Sequence, residues 1–287
     1  MKKENEKLNI VFFGTPKFSV QIMEKLKGND LTPSLLITTP NKPKGRKLIL
    51  TPPETKIWAE ENKIKVLQPT KLKDPEFLKE MSANNWDLFI VASYGKIIPK
   101  EILDMPKYGT INVHPSLLPR LRGASPMQSA ILSEDKTGVT IMLMDEEMDH
   151  GPILIQKDLE IDNWPPNIEE LEEKLAQLGG QMLVETIPLW VEGKIEAINQ
   201  DHEKATYIDK ISKEEAFIDL KESPEKNYRK IQALQKIKPY FFTKKNGQKI
   251  RLIIKKAQLE DGNLEILRVV PEGKKEMDYK DFLRGNN

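Results

Sequence analysis

Three polar side chains in this sequence have the types and the spacing needed for acid–base chemistry. Asn112 and His114 lie two positions apart in a short apolar run, and Asp149 follows in the acidic segment MDEEMDHG at residues 144–151. Residues 109–114 predict a β-strand, and residues two apart on a strand project from the same face. We therefore expect Asn112 and His114 to point into one pocket, which Asp149 reaches from its loop.

Residue chemistry alone leaves two interpretations of this group open. A His at a strand end is commonly a packed or solvated residue, and an Asn near a turn often bonds only the backbone. However, the chain has only three histidines, and an amide, an imidazole and a carboxylate together would supply an oxyanion donor, a proton acceptor and a group that orients it. A catalytic site and a structural strand end are equally consistent with these residues.

The segments around these residues alternate between short apolar runs and helical patterns. Strands are expected at residues 8–13, 34–38, 66–67, 87–92 and 109–114, and helices near residues 18–27, 55–62 and 75–83. Short apolar strands separated by helices are typical of a mostly parallel sheet covered on both faces. We therefore predict an α/β fold with a Rossmann-like, doubly wound sheet. No G-x-G-x-x-G follows the first strand, so dinucleotide binding does not follow from this layout.

The segments after residue 137 are expected to position the acidic residue. Residues 138–144 and 152–157 predict strands on either side of the acidic turn, which would let Asp149 lean back over His114. A helix over residues 168–191 then closes the domain.

Composition excludes several kinds of site. The chain has 287 residues and no cysteine, which excludes disulfides, thiolate metal sites and a cysteine nucleophile; its three scattered histidines argue against zinc, so we expect no metal. We find no apolar run of 18 residues and no hydrophobic signal segment near the start. We therefore expect a cytoplasmic protein without membrane association, and we expect it to be a monomer.

Charge is distributed unevenly along the chain, although the formal net charge is only +1. Residues 205–287 contain 19 Lys and Arg against 13 Asp and Glu, whereas residues 1–204 contain 26 against 31. Within residues 226–256 there are eleven basic residues and no acidic one, interleaved with aromatic residues such as Tyr240 and Phe242. Charge runs are usually solvated faces, but this combination also suits a surface that binds a phosphate backbone.

Longer motifs carry a family resemblance. The run NVHPSLLPRLRGASP at residues 112–126, followed by TGVTIM at 137–142 and MDHG at 148–151, resembles the folate-dependent formyltransferases, and among them the methionyl-tRNA formyltransferases. Shorter landmarks are similar as well: FGTP at 13–16, TPNKPKGR at 39–46, VASYGKIIP at 91–99, YIDKISKEEA at 207–216 and PEGKKEM at 271–277. The resemblance runs nearly end to end, but residues 247–270 are shorter than the corresponding part of the family's C-terminal domain.

The resemblance implies a function and the residues that perform it. The function is transfer of a formyl group from the donor 10-formyltetrahydrofolate to the amino group of methionyl initiator tRNA, in translation initiation. The catalytic residues would be Asn112, His114 and Asp149, with Asp149 either orienting the imidazole or holding a water that carries protons. The tetrahydrofolate-binding residues would be Ser116, Leu117, Leu118 and Pro119, and the tRNA-binding residues Lys42, Arg46, Lys244, Lys245 and Lys249.

The same resemblance implies a division of the chain. A formyltransferase catalytic domain is expected over residues 1–191 and a smaller, shortened, β-barrel-like domain over 207–287; between them, the shift to a charged composition without periodicity at residues 192–206 predicts a linker. That C-terminal domain would be OB-like and would bind tRNA.

Two alternatives remain open at this stage. The same catalytic trio would serve a formyltransferase acting on a small amine, such as an amino-sugar nucleotide or a purine precursor, and the fold would also suit a non-catalytic RNA-binding protein. The basic C-terminal segment and the loop at residues 42–47 favour tRNA over a small amine. The presence of Asn112, His114 and Asp149 argues against a non-catalytic protein.

Overall fold

The computed structural model of this chain describes residues 7–45, 47–245 and 247–285. Its strands are β1 (Ile10–Gly14), β2 (Leu35–Ile37), β3 (Lys42–Lys44), β4 (Ile49–Thr51), β5 (Lys65–Leu67), β6 (Leu88–Ala92), β7 (Thr110–His114), β8 (Arg122–Gly123), β9 (Thr137–Leu143), β10 (Ile153–Leu159), β11 (Tyr207–Ile208), β12 (Tyr240–Lys245), β13 (Gln248–Glu260), β14 (Asn263–Pro271) and β15 (Met277–Asp278). Its α-helices are α1 (Lys17–Lys27), α2 (Glu54–Glu61), α3 (Pro75–Ser82), α4 (Lys100–Leu103), α5 (Pro126–Ser133), α6 (Ile168–Val191), α7 (Pro224–Ala233) and α8 (Tyr279–Arg284).

These elements form two compact units, each assembled from segments that are distant in sequence. Unit 1 contains the described residues of Met1–Arg122, Gly138–Leu159 and Glu172–Tyr207, and unit 2 contains those of Gly123–Thr137, Glu160–Leu171 and Ile208–Asn287. The domain boundaries expected from the sequence, with a linker at residues 192–206, stay a prediction.

Unit 1 is built around a seven-stranded sheet with the order β10-β9-β7-β6-β1-β2-β5. Within the part of the sheet ordered β7-β6-β1-β2-β5, each strand runs parallel to its neighbours. β9 pairs antiparallel with β7. β1 and β6 are buried along their whole length, as expected for strands covered on both faces. The predicted α/β fold with a mostly parallel, doubly wound sheet is therefore confirmed, and the direction of winding reverses between β1 and β6.

Hydrogen bonds connect the carboxyl ends of β1 and β6. The donors are side chains of the segment that follows β1, and the acceptors are backbone carbonyls at and just after the end of β6. Ser19 of α1 donates its hydroxyl to the carbonyl of Ala92 at 2.6 Å, and Thr15 donates to the carbonyl of Tyr94 at 3.1 Å. Gly14 permits this close approach, because a Cβ there would lie 2.7 Å from side-chain atoms of Phe12 and Ser19. The edge of the sheet that should carry the chemistry is thus a fixed structure.

One part of unit 1 differs from its expected structure. The sequence predicts a charged loop at residues 42–47, but Lys42 pairs with Thr51 and Lys44 with Ile49 in an antiparallel hairpin of β3 and β4. Leu48, Ile49 and Leu50 are exposed in it, so its apolar residues do not contribute to the core. The short alternation of lysines with Pro43 gives no strand pattern that sequence analysis can detect.

Unit 2 contains a four-stranded antiparallel sheet with the order β12-β13-β14-β15. α7 and α8 pack on it through Ile231 and Phe282, in a core that includes Phe241 and Leu252. α7 also contacts the segment after α5: Arg229 donates to the carbonyl of Glu134 at 2.7 Å and forms an ion pair with Asp135 at 2.7 Å. The smaller β-sheet domain expected near the C-terminus is present. Within the described residues it is a four-stranded sheet in which β12 and β15 are the edge strands.

No helix in the described part of the chain is both long and apolar enough to cross a membrane.

Candidate active site

Asn112 and His114 lie at the carboxyl end of β7, where the sequence pattern predicts them. The strand is paired on one side with β6 and on the other with β9, so that His114 lies opposite Thr140. Both side chains are largely buried, Asn112 being 8 % and His114 3 % exposed. Their polar atoms are therefore held in a protected environment, in which each hydrogen bond has a large effect on the position of the group.

The carboxylate of Asp149 meets both of these side chains. Its Oδ1 atom lies 3.4 Å from Nδ2 of Asn112 and 3.4 Å from Nδ1 of His114. Both distances are at the long end of hydrogen bonding. The amide, imidazole and carboxylate that the sequence separates by up to 37 positions thus form one cluster.

The hydrogen-bond partners of His114 assign the roles of its two ring nitrogens. Nε2 lies 3.1 Å from the carbonyl oxygen of Leu121, which can only accept, so Nε2 carries a hydrogen. In the neutral ring Nδ1 is then the unprotonated nitrogen, and it lies 3.4 Å from Oδ1 of Asp149. When this nitrogen takes up a proton, the adjacent carboxylate stabilises the resulting cation.

Asp149 has an unusual backbone conformation. Its φ angle is +52°, in the left-handed region that non-glycine residues rarely occupy, although Asp and Asn tolerate it better than most. Two residues later, Gly151 has no space for a side chain, because a Cβ there would lie 2.1 Å from the carbonyl oxygen of Leu143. The acidic turn is therefore folded tightly onto the end of β9.

The loop after β7 is anchored by Thr140 of β9. The Thr140 hydroxyl donates to the carbonyl of Ser116 at 2.7 Å and accepts from the backbone N–H of Leu118 at 3.2 Å. Gln156 donates to the same hydroxyl and to the carbonyl of Leu118, both at 2.8 Å. Ser116 in turn donates its own hydroxyl to the carbonyl of Arg120 at 2.8 Å.

These bonds divide the four candidate folate-binding residues into two kinds. Ser116 and Leu118 are buried and their polar groups bond to neighbouring protein atoms, so they shape the loop. Leu117 and Pro119 are half-buried and keep apolar surface accessible. Only the second pair offers side-chain surface to a ligand.

The candidate tRNA-binding lysines of unit 2 lie on the β12–β13 pair. Lys244 and Lys249 are directly opposite each other and both are exposed, and Lys249 places its ammonium 4.0 Å from the centre of the Phe242 ring. Like charges at such cross-strand positions repel, and a bound polyanion would relieve that repulsion. Lys245 is the last residue of β12, and its side chain lies outside the described part of the chain.

The aromatic residues of β12 separate onto two faces of the sheet. Phe241 is buried in the core of unit 2, whereas Tyr240 and Phe242 lie on the other face and contact Phe217 at ring-centre distances of 5.8 and 6.1 Å. Arg251 stacks over Tyr240 at 3.8 Å. The basic segment noted in the sequence therefore contributes several core residues, Phe241 among them, and one mixed aromatic and cationic surface.

In unit 1, Lys42 is exposed at the start of β3. Arg46 lies outside the described residues. Lys44, between them in sequence, forms an ion pair with Glu54 at 3.1 Å. Among the described residues, no three His, Cys, Asp or Glu side chains are grouped as they would be around a metal ion.

Comparison with known proteins gives the relationship of the chain. Residues 8–187 match the Formyl transferase family. A methionyl-tRNA formyltransferase from Geobacillus sp. (strain WCH70) is 41 % identical over 302 aligned residues, which cover 97 % of this chain and 94 % of that protein. This chain belongs to the methionyl-tRNA formyltransferase family.

Solved structures of other formyltransferases share the fold of this family member. A methionyl-tRNA formyltransferase from Clostridium thermocellum superposes with a TM-score of 0.59 at 17 % identity, covering 94 % of this chain and 99 % of that one. An N-formyltransferase from Helicobacter canadensis, determined with folinic acid and dTDP-3-aminofucose, gives a TM-score of 0.61 at 19 % identity, covering 88 % of this chain and 89 % of that one. These likenesses show the fold alone.

Sequence reasoning about this methionyl-tRNA formyltransferase family member missed several residues that hold the site. Thr140 lies in a predicted strand, and the pairing of β9 with β7 is the one signal that would have placed it beside the loop at residues 116–119. Gln200 lies in the segment predicted to be a linker, yet it is buried and bonds the turn that carries Asp149. No local pattern marks it, because its partners lie about fifty positions away.

Proposed function

We propose that this protein transfers the formyl group of 10-formyltetrahydrofolate to the α-amino group of methionyl initiator tRNA, with Asn112, His114 and Asp149 as its catalytic residues. The observation that carries the proposal is that these three side chains meet at the carboxyl end of β7, with Asp149 Oδ1 at 3.4 Å from both partners. The family to which the chain belongs supports the choice of reaction and of acceptor.

The reaction is an acyl transfer through a tetrahedral intermediate. The amino nitrogen attacks the formyl carbon, a carbon–nitrogen bond forms, and the carbonyl oxygen becomes an oxyanion. Asn112 has two amide hydrogens, of which one faces Asp149 and the other can donate to that oxyanion. Such a donor contributes roughly 3 to 4 kcal/mol of barrier reduction in comparable sites.

The proton of the attacking amine needs an acceptor and then a destination. His114 Nδ1 can take it, since Nε2 is committed to the carbonyl of Leu121. Asp149 stabilises the protonated ring or orients a water that relays the proton. The proton then passes to the folate nitrogen as the bond between that nitrogen and the formyl carbon breaks, so that no covalent enzyme intermediate and no net change of charge are needed.

The folate donor would contact the loop at residues 116–119. Leu117 and Pro119 offer apolar surface to its ring system, while Ser116 and Leu118 maintain the loop through their bonds to neighbouring protein atoms. A folate donor is also consistent with the folinic acid bound to the Helicobacter protein of the same fold.

The tRNA would be held by charge. Lys42, at the start of β3, and Arg46 would contact the acceptor end, and Lys244, Lys245 and Lys249 would contact the phosphate backbone. In this arrangement residues 1–191 act as the catalytic domain and residues 207–287 as the tRNA-binding domain. The proposal includes a monomeric, cytoplasmic enzyme that uses no metal.

A formylation assay with two kinds of acceptor tests the proposal. Purified protein is incubated with 10-formyltetrahydrofolate and either methionyl initiator tRNA or an amino-sugar nucleotide, and the formylated product is measured. We expect a kcat/KM for the tRNA at least about a hundredfold higher than for the sugar, because a polyanion of that size uses both basic surfaces. Equal or higher activity with the amino-sugar nucleotide would instead establish the small-amine alternative.

A further inference from the structure

The left-handed turn that carries Asp149 is held by a glutamine from a remote segment. Gln200 is only 5 % exposed, and its Nε2 donates to the carbonyl of Asp149 at 2.9 Å and to the carbonyl of Gly151 at 2.8 Å. These two bonds use both hydrogens of the amide and fix the backbone of the residues before and after His150.

A buried arginine fixes which way this amide points. Arg122 is fully buried, and its Nη2 and Nε donate to Oε1 of Gln200 at 2.6 and 3.2 Å. A guanidinium can only donate, so the oxygen of Gln200 must face Arg122 and the nitrogen must face the turn. Arg122 therefore determines that Gln200 presents two donors, and no acceptor, to the carbonyls of Asp149 and Gly151.

A second connection joins Arg122 to the same turn. Arg122 Nη2 donates to Nδ1 of His202 at 2.9 Å, and the ring of His202 stacks on His150 with 4.1 Å between ring centres and an interplanar angle of 3°. His150 in turn bonds Asp145 at 2.7 Å. The turn is thus held through its backbone by Gln200 and through one side chain by His202.

We infer that Gln200, oriented by Arg122, is a positioning residue that holds the Asp149 carboxylate at its distance from Asn112 and His114. A non-glycine residue stays at a φ of +52° only when its surroundings impose that conformation. Without the two bonds from Gln200 the turn relaxes and the 3.4 Å separations of Asp149 from both partners lengthen. This inference rests on the proposed catalytic role of Asp149.

The variant Gln200→Glu distinguishes two roles of Gln200: donating to the turn that carries Asp149, and accepting hydrogen bonds from Arg122. The glutamate still accepts from Arg122, and more strongly, so the buried guanidinium keeps its partner. It loses both donors to the turn and places a carboxylate against the two carbonyls. We expect kcat to fall about 10- to 100-fold and KM for tRNA to stay within about twofold, because Gln200 is not one of the residues proposed to bind tRNA. The variant should stay folded with a lowered melting temperature, because two buried carbonyls lose their donors.

Tyr207→Phe is the matched control. It removes one hydrogen bond from the same guanidinium, since Nη1 of Arg122 donates to the Tyr207 hydroxyl at 2.9 Å, but it leaves the bonds to Gln200 and the turn in place. We expect its kcat to stay within about twofold of the parent value. If both variants lose activity equally, the effect comes from disturbing Arg122 in general, and the inference is wrong.

A double-mutant cycle with Asp149→Asn tests whether Gln200 acts through Asp149. If it does, Gln200→Glu lowers kcat in the Asp149→Asn background by less than about threefold, because the group that it positions is already inactive. Independent losses that multiply would contradict the inference, as would an unchanged kcat in folded Gln200→Glu. If that variant does not fold, Gln200→Met, which keeps the length of the side chain without a charge, takes its place in the cycle. A failure of both to fold would show that Gln200 is structural only.

The experiment distinguishes an error in the proposed function from an error in the role of Gln200. If the parent protein does not formylate methionyl-tRNA, the proposed function is wrong, whatever the variants do. If the parent protein is active and the cycle shows no coupling, the function stands and only the role of Gln200 is wrong. Hydrogen exchange of the amides at residues 144–151 provides a readout independent of activity, and we expect faster exchange there in Gln200→Glu.

Discussion

The proposed catalytic cluster of unit 1 and the proposed tRNA-binding surface of unit 2 hold their side chains in opposite ways. Asn112 and His114 are almost fully buried, and their side chains have specific hydrogen-bond partners. Lys244 and Lys249 are exposed at the end of a strand pair, and the contact of Lys249 is with the face of an aromatic ring. Geometry is fixed in the first region, whereas the second supplies a field of positive charge.

This contrast is the one expected from the two proposed tasks, catalysis and tRNA binding. A reacting group displaced by about 1 Å can lose roughly a hundredfold in rate, so catalytic side chains require burial and bonding that prevent movement. Attraction of a polyanion depends on the sum of many exposed charges and is reduced by salt, so no single side chain needs an exact position. Substitutions should therefore have large effects on kcat in unit 1 and small, cumulative, salt-dependent effects on KM in unit 2.

The largest effect is expected from His114→Ala and Asn112→Ala. Each removes a group whose interaction forms mainly in the transition state, so kcat should fall about 10²- to 10⁴-fold while KM changes little. Steady-state formylation at saturating tRNA measures this. Asn84→Ala, at an exposed asparagine of the same unit, is the control and should keep full activity. Near-normal turnover in either folded site variant would exclude a catalytic role for that residue.

Asp149→Asn should have the next largest effect. Asparagine also tolerates a positive φ, so the turn keeps its shape while the charge beside His114 is lost. We expect kcat to fall about 100-fold with little change in melting temperature. Asp30→Asn makes the same substitution at another aspartate with a positive φ of 59° and should leave activity unchanged. A variant that unfolds would instead indicate that the carboxylate is needed for the turn itself.

Neutralising the basic surface should produce a smaller effect, and on a different parameter. Lys244→Gln, Lys245→Gln and Lys249→Gln combined should raise KM for tRNA about 3- to 10-fold at physiological salt, with kcat nearly unchanged. The salt slope of binding should decrease by up to about 0.9 for each phosphate that the protein no longer neutralises.

A second triple variant controls for net charge. Lys65, Lys194 and Lys280 each form an ion pair with an acidic residue, at 2.6, 2.6 and 3.1 Å respectively. Replacing all three by Gln changes the net charge equally but should leave the salt slope near its parent value. Identical slopes for the parent protein and the variant at residues 244, 245 and 249 would show that this surface does not bind tRNA.

The smallest effect concerns stability at the edge of the unit 1 sheet. Burial raises the pKa of Tyr94 to about 12, from an ordinary value near 10. The folded state therefore favours the neutral phenol, and its contribution to stability is complete below pH 10 and is lost as the pH rises toward 12. We expect the free energy of unfolding to fall by about 1 to 2 kcal/mol more in the parent protein than in Tyr94→Phe between pH 9 and pH 12. An equal loss of unfolding free energy in the two proteins between pH 9 and pH 12, measured by chemical denaturation, would contradict this.

Local sequence patterns determined the sheet of unit 1 and the faces on which the side chains of β7 and β12 lie. Apolar runs separated by helical patterns predicted the doubly wound sheet, because strands buried on both faces must be continuously apolar. The period of two along β7 placed Asn112 and His114 on one face, as the structure confirms through their shared contact with Asp149. The same period explains why Phe241 enters the core of unit 2 while Tyr240 and Phe242 do not. Family motifs supplied the reaction, which periodicity alone left open.

The tertiary structure decided what depends on contacts between distant segments. Gln200 belongs to a charged stretch with the composition of a linker, and only the folded chain gives its amide the carbonyls of Asp149 and Gly151 and the guanidinium of Arg122. Residues 123–137 likewise join unit 2, through bonds such as that from Arg229 to Glu134. Such partners leave no local signal, because a buried polar group must be satisfied by whichever donor or acceptor packing brings to it, however far away that group lies in the sequence.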